Sequence, residues 1–244
     1  MMHRWNVAVG NFFFRYRNTM FPVLFALGVL IIRPRVMFGS PSFDRILMAC
    51  GMVVALSGEL VRLVTIGFEY IERGGKDGKV YASHLVQGGV YALTRNPMYL
   101  GNALIAIGMS MVLGSPVAYL LVIPFFLFVY QAIVTAEEAY LRNRFGEEYM
   151  QYCARVNRFL PRLREVPRAL FGKRYDWRSA IRQDLSTMAA LFSGFITLPA
   201  WRLYWLYGWD AAKMAAPKAL AALLGVGMLY GFLAYLKKRR LLFY

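Results

Sequence analysis

The sequence is short of the side chains from which many enzyme centres are built. It holds two histidines, His3 and His84, and two cysteines, Cys50 and Cys153. These are too few to assemble a His/Cys metal site or a disulfide framework, so no metal is expected. Acidic residues are also scarce: 13 Asp and Glu stand against 29 Lys and Arg, for a net charge of +16. Only 17% of the 244 residues are charged while 59% are hydrophobic, and the mean hydropathy is +0.43. That balance excludes an ordinary soluble domain. Basic residues beside long apolar runs point to cytoplasmic loops and anionic lipid headgroups, and away from nucleic acid as a partner. No small-residue cleavage site follows Arg4, Arg15 and Arg17, so the first apolar run reads as an anchor rather than a removed signal.

What is present is apolar sequence in helix-length runs. Six candidates stand at roughly residues 20–32, 44–67, 98–113, 116–136, 186–206 and 215–236, against the approximately 20 residues a crossing requires. The expected fold is an all-α integral membrane protein of about six transmembrane helices. The third run, Met98 to Leu113, reaches only about 24 Å as a helix, less than the hydrocarbon core. Gly114-Ser115-Pro116 then turns the chain into the fourth helix, making a hairpin whose second arm carries Pro124, a potential kink. The arginine-rich stretch 137–185 and the Lys237-Lys238-Arg239-Arg240 tail place both termini on the cytoplasmic side. Arg33, Arg35 and Arg45 oppose that assignment, since they fall on the other side. Three divisions follow: a core over 1–162, a basic segment over 163–185 in which arginines alternate with Leu170, Phe171, Tyr175, Trp177 and Ile181, and a C-terminal helical hairpin over 186–244. The middle segment suits either the headgroup layer or a solvated linker.

Polar residues concentrate in two places that the topology puts on one membrane face, Ser83 to Asn102 and Glu137 to Pro161. In the first, Asn96 is a good N-cap and Pro97 a good first helical residue. The free N–H groups of that helix start, with Arg95 beside them, make a plausible carboxylate or phosphate site; the plainer alternative is a capped helix that binds nothing. In the second, Glu137 and Glu138 stand at the expected end of the fourth helix, where they oppose the macrodipole and call for a cationic partner or for water. Leu141, Phe145, Tyr149 and Tyr152 recur at near-helical spacing beyond them. Glu59 and Arg62, three apart in the second apolar run, lie on one face, paired with each other or lining a cavity.

The ordered blocks Ser83-His84-Leu85-Val86-Gln87-Gly88-Gly89-Val90-Tyr91, Arg95-Asn96-Pro97-Met98-Tyr99-Leu100-Gly101, Glu137-Glu138, Phe145-Gly146-Glu147-Glu148-Tyr149-Met150-Gln151-Tyr152 and Arg158-Phe159-Leu160-Pro161 resemble the isoprenylcysteine carboxyl methyltransferase family, with the related phospholipid methyltransferases. The resemblance covers roughly residues 45–162. It implies a membrane enzyme that takes a methyl group from S-adenosylmethionine in a pocket at the cytosolic face. The cofactor contacts it implies are Ser83, His84, Leu85, Val86, Tyr91, Asn96, Pro97, Met98, Tyr99 and Glu137. Arg95 and Glu137 are the candidate catalytic residues, and Glu59, Arg62 and Glu138 are candidates for the acceptor side. Three positions depart from the family pattern: Asn96 replaces a histidine, Ser83 stands at another histidine position with His84 one place later, and Ile133 replaces an arginine assigned to the prenylcysteine acceptor. The expected partners are the bilayer and a lipophilic acceptor methylated on oxygen, nitrogen or sulfur. The alternatives are an NADPH-dependent sterol- or steroid-type reductase, which resembles this family in a Pro-x-Tyr-x-Gly stretch, and a non-catalytic binding module on the same scaffold.

Overall fold

The computed structural model describes residues 2–69 and 78–239. Residues 70–77 of the loop before the first polar block, Arg240 of the basic tail and the side chain of Arg4 lie outside the described residues. Six α-helices follow in order: α1 (Met2–Ile31), α2 (Pro41–Phe68), α3 (Pro97–Leu113), α4 (Ile123–Arg155), the short α5 (Val166–Leu170) and α6 (Trp177–Arg239). Among the described residues, three helical stretches have the length and hydropathy to cross a bilayer: Pro41–Phe68, Ala118–Arg155 and Trp177–Arg239; α3, apolar in composition, is shorter. The apolar run at 20–32 forms the second half of α1, and the two C-terminal runs are the halves of α6. The described residues form an all-helical structure with the long apolar helices of an integral membrane protein.

Local chemistry sets the helix ends. Ser40 caps α2 by accepting from the Phe43 N–H at 3.3 Å, with Pro41 as the first helical residue. α3 ends where Gly114 turns left-handed (φ 63°, ψ 58°), a conformation that costs glycine no steric penalty. After that turn the chain enters a π-helical segment, Ala118–Val122, just ahead of Pro124. The wider turn absorbs the hydrogen bond that proline withholds, where the sequence predicts a kink. α4 runs seventeen residues past Glu138, to Arg155, with one interruption at Gly146 (φ 52°, ψ −123°). The expectation that Glu137 and Glu138 sit on a helix C-terminus is therefore corrected: the helix continues beyond them, and the macrodipole argument does not apply.

α2 and α3 approach closely because glycines face one another. A methyl group at Gly58 would run into the Gly101 carbonyl, and one at Gly51 into that of Gly108. Small residues let helix backbones meet within lipid, where van der Waals contact replaces the hydrophobic drive. α1 packs on α4 through Gly10 against Ala132, Phe14 against Val129 and Ile133, and Phe21 against Phe126 and Tyr130. α6 leaves helical geometry at Gly208 and returns along itself, so that Lys237 Nζ donates to the Arg182 carbonyl at 2.9 Å. Two buried ion pairs hold its first arm to α2: Arg62 with Asp184, and Arg202 with Asp44. Arg202 also donates to the Leu113 carbonyl at 2.8 Å, closing the end of α3.

Over its last four residues before α6, Lys173 to Asp176, the basic segment is anchored to α2 and to the C-terminal end of that helix. The Asp176 N–H donates to the Gly67 carbonyl at 2.8 Å, the Tyr175 hydroxyl to that of Leu63 at 3.2 Å, and Lys173 pairs with Glu69. Arg162, Arg164, Arg168 and Arg174 remain exposed, interleaved with the exposed Leu163, Phe171 and Trp177.

Candidate functional site

The start of α3, the end of α4 and the start of α6 gather at one end of the bundle, and a cavity of about 1200 Å³ opens there. It is bounded by α1, α3, α4, the loop before α3 and α6. On α3 its wall is made by Met98, Tyr99, Asn102, Ile105, Ala106, Met109 and Leu113. These recur at helical spacing, so the cavity follows one face of α3 for about 22 Å. The far part is mainly apolar, faced by Phe25, Val29 and Ile32 of α1 and by Leu191 of α6, with Ser110, Ser193 and Thr197 also in its wall; the near part is polar.

Of the residues singled out from sequence, His84, Leu85, Val86, Tyr91, Arg95, Asn96, Met98, Tyr99, Glu137 and Arg62 line this one cavity. Ser83 stands beside it, its hydroxyl 3.0 Å from His84 Nδ1. Pro97 is buried as the first residue of α3. Glu59 and Glu138 are not part of the wall. At the polar end the Tyr99 hydroxyl donates to Glu137 Oε1 at 2.5 Å, joining α3 to α4. Glu137 is the acidic residue of the wall.

Glu138, next in sequence, points elsewhere and organises the scaffold. Its Oε1 accepts from Arg95 Nη2 at 3.2 Å and from Asn96 Nδ2 at 3.3 Å, while Oε2 lies 3.0 Å from Arg158 Nε. Arg95 Nη1 donates to the carbonyls of Cys153 and Val156, both at 3.1 Å, where α4 ends. The Arg95 N–H donates to the Asn157 carbonyl at 2.9 Å. The Arg-Asn-Pro start of α3 is thus tied to the Arg-Phe-Leu-Pro block through one carboxylate. Asn96 occupies the N-cap position, but its side chain makes no cap hydrogen bond; its amide is directed to Glu138 and the Arg158 carbonyl. The first-turn N–H groups of α3 therefore stay uncapped beside the cavity. Leu85, Leu141, Phe145, Tyr149, Tyr152 and Val156 pack together behind it, and the Tyr152 hydroxyl donates to the Tyr91 carbonyl at 2.7 Å.

Arg62 is engaged more broadly than a pairing with Glu59 suggests. Glu59 Oε2 lies 3.8 Å from its Nε, whereas Asp184 takes Nε at 2.9 Å and Nη2 as well. Asn102 accepts from Nη1, and Thr187 from Nη2 at 3.0 Å. Asp184 and Thr187 lie outside the residues singled out from sequence, and Asn102, within the first polar block, has no role assigned by the spacing. An acidic residue two places before an apolar run was the available signal for Asp184, since a buried arginine requires such a partner. Arg17 of α1 also lines the cavity, its Nη1 donating to the Phe14 carbonyl at 2.7 Å.

Comparison with known proteins adds to this geometry. The Phospholipid methyltransferase family profile matches residues 45–148. A Schizosaccharomyces pombe protein-S-isoprenylcysteine O-methyltransferase is 39% identical over 77 residues, covering 32% of this chain and 33% of that protein. The rat (Rattus norvegicus) protein of the same name is 32% identical over 128 residues, covering 49% and 43%. An uncharacterized Haemophilus influenzae protein is 41% identical over 63 residues, which are 26% of this chain and 100% of its own length. The chain thus spans less than half the length of these two named relatives. No solved structure matches it.

Proposed function

The chain belongs to the isoprenylcysteine carboxyl methyltransferase family, and we propose that it transfers a methyl group from S-adenosylmethionine to an amphiphilic acceptor at the cytosolic membrane face. The observation that carries this reading is the Tyr99–Glu137 pair, set at the polar end of a cavity whose other end is an apolar slot. One end suits a charged nucleoside and the other a lipid chain. The reading counts six crossings, α6 contributing two, with residues 1–162 as the catalytic core.

The residues present fit the cofactor. The uncapped first turn of α3 offers N–H donors to its carboxylate. Glu137 offers acceptor oxygens to its ammonium or ribose hydroxyls. His84, Leu85, Val86 and Tyr91 supply a wall for the base. S-adenosylmethionine, when bound, supplies an electrophilic methyl group on a sulfonium. The protein's part is to align the acceptor and exclude water, because methyl transfer from a sulfonium proceeds in line. Glu137 and Tyr99 fix one reactant at the mouth, and the slot along α3 delivers the other. Arg95 acts by positioning: its terminal nitrogens hold the start of α3 to the end of α4, and its buried Nε has no hydrogen-bond partner.

Calorimetric titration of the detergent-purified protein with S-adenosylhomocysteine tests this reading, with NADPH in parallel. Micromolar binding of the nucleoside that Glu137→Ala abolishes is expected. Binding of NADPH alone, or no binding, sinks the reading.

A further inference from the structure

The slot along α3 is not apolar throughout. One turn beyond Tyr99, about 4.5 Å deeper along the helix axis, Asn102 and Arg62 meet Thr187 of α6, and Gln183 and Ser186 join them in the cavity wall. A polar collar therefore divides the Glu137 end from the mainly apolar part, which continues about 16 Å to Leu113 and holds only the scattered hydroxyls of Ser110, Ser193 and Thr197 among its described lining residues. Three of its five members come from α6, outside the matched residues 45–148.

Charge decides what this collar accepts. Arg62 is 5% exposed and Asp184 is fully buried, with two contacts between them. Glu59 adds a second carboxylate 3.8 Å away. The guanidinium is therefore already neutralised, so a free anion placed against it gains little; Lys237, which also lines the cavity, is exposed and held by the Arg182 carbonyl. Burying such an ion is strongly unfavourable. A neutral group meets hydroxyls and amides able to donate and accept.

We infer that α6 selects the acceptor: the collar of Arg62, Asn102, Gln183, Ser186 and Thr187 binds an uncharged hydrogen-bonding neck, such as an amide or ester, one turn behind the atom that receives the methyl group. The inference rests on the slot being the acceptor path of the proposed reaction. It assigns the hairpin a part in recognition.

Three probes with one chain and different heads test it: hexadecanamide, hexadecanoate and hexadecylamine. Each competes against a hexadecanamide carrying a photoreactive diazirine at the chain end, with labelled peptides identified by mass spectrometry. Labelling is expected around Met109 to Leu113, and hexadecanamide should compete about tenfold better than either charged probe, the scale of one or two hydrogen bonds at an uncompensated site. Ser186→Ala with Thr187→Val should bring the three probes within about twofold of one another. Gel filtration and the melting temperature verify that this variant folds, and Ser186→Ala alone provides a milder version. Equal or better competition by hexadecanoate or hexadecylamine overturns the inference, as does an unchanged preference in the folded variant. Failure of nucleoside binding with the amide preference intact would defeat the methyl-transfer reading while leaving the collar's selectivity in place.

Discussion

At the scale of single residues, the two adjacent glutamates have divided their work. Glu137 faces the cavity with Tyr99; Glu138 faces the scaffold with Arg95, Asn96 and Arg158. Adjacent helical positions point about 100° apart, which is why one pair serves two surroundings. Tyr99→Phe removes one hydrogen bond and leaves the ring, so S-adenosylhomocysteine should bind about 3- to 10-fold more weakly by calorimetry. The sequence carries the order of these blocks, but not the direction in which each carboxylate points. The same limit applies to Arg62. Pattern reading offered it Glu59 on its own helix, yet a carboxylate three positions away reaches only one edge of the guanidinium. Asp184, 122 residues later, meets its Nε and Nη2. Contacts within a helix are readable from spacing; those between distant helices depend on packing that spacing does not encode.

At the scale of elements, most of the expected helices appear, because long apolar runs and proline starts are strong signals. The helix carrying Leu141, Phe145, Tyr149 and Tyr152 is legible from their spacing; that it continues α4 through Glu137 and Glu138 is not, since an acidic pair after an apolar run resembles the end of a crossing. The α2–α3 contact depends on what is missing from Gly51, Gly58, Gly101 and Gly108. Gly58→Val should force these backbones apart and cost about 1–3 kcal/mol, as overpacked interiors do. Thermal unfolding in detergent would show this as a lowered midpoint. α3 carries Tyr99 and Asn102 on the face that lines the cavity, so the same variant should weaken nucleoside binding without touching a contact residue.

At the scale of the whole molecule, α6 is held to α2 by two buried ion pairs, near opposite ends of the bundle. Asp184→Arg places two buried guanidiniums together and should cost about 3–5 kcal/mol, the range for breaking a buried pair. Combining it with Arg62→Asp should recover more than half of that loss in the same unfolding measurement. Asp44 and Arg62 are eighteen residues apart, and so are Asp184 and Arg202, which makes each interval about 27 Å of helix. Each helix reads acid first and base second, so only opposed directions match acid to base at both ends. Threaded the other way, acid would face acid and base would face base, and a slip of one turn would part both couples together. The two pairs work as a key cut at both tips: they admit the hairpin in one direction and one register, and leave a misthreaded chain with four buried charges to lodge in the bilayer.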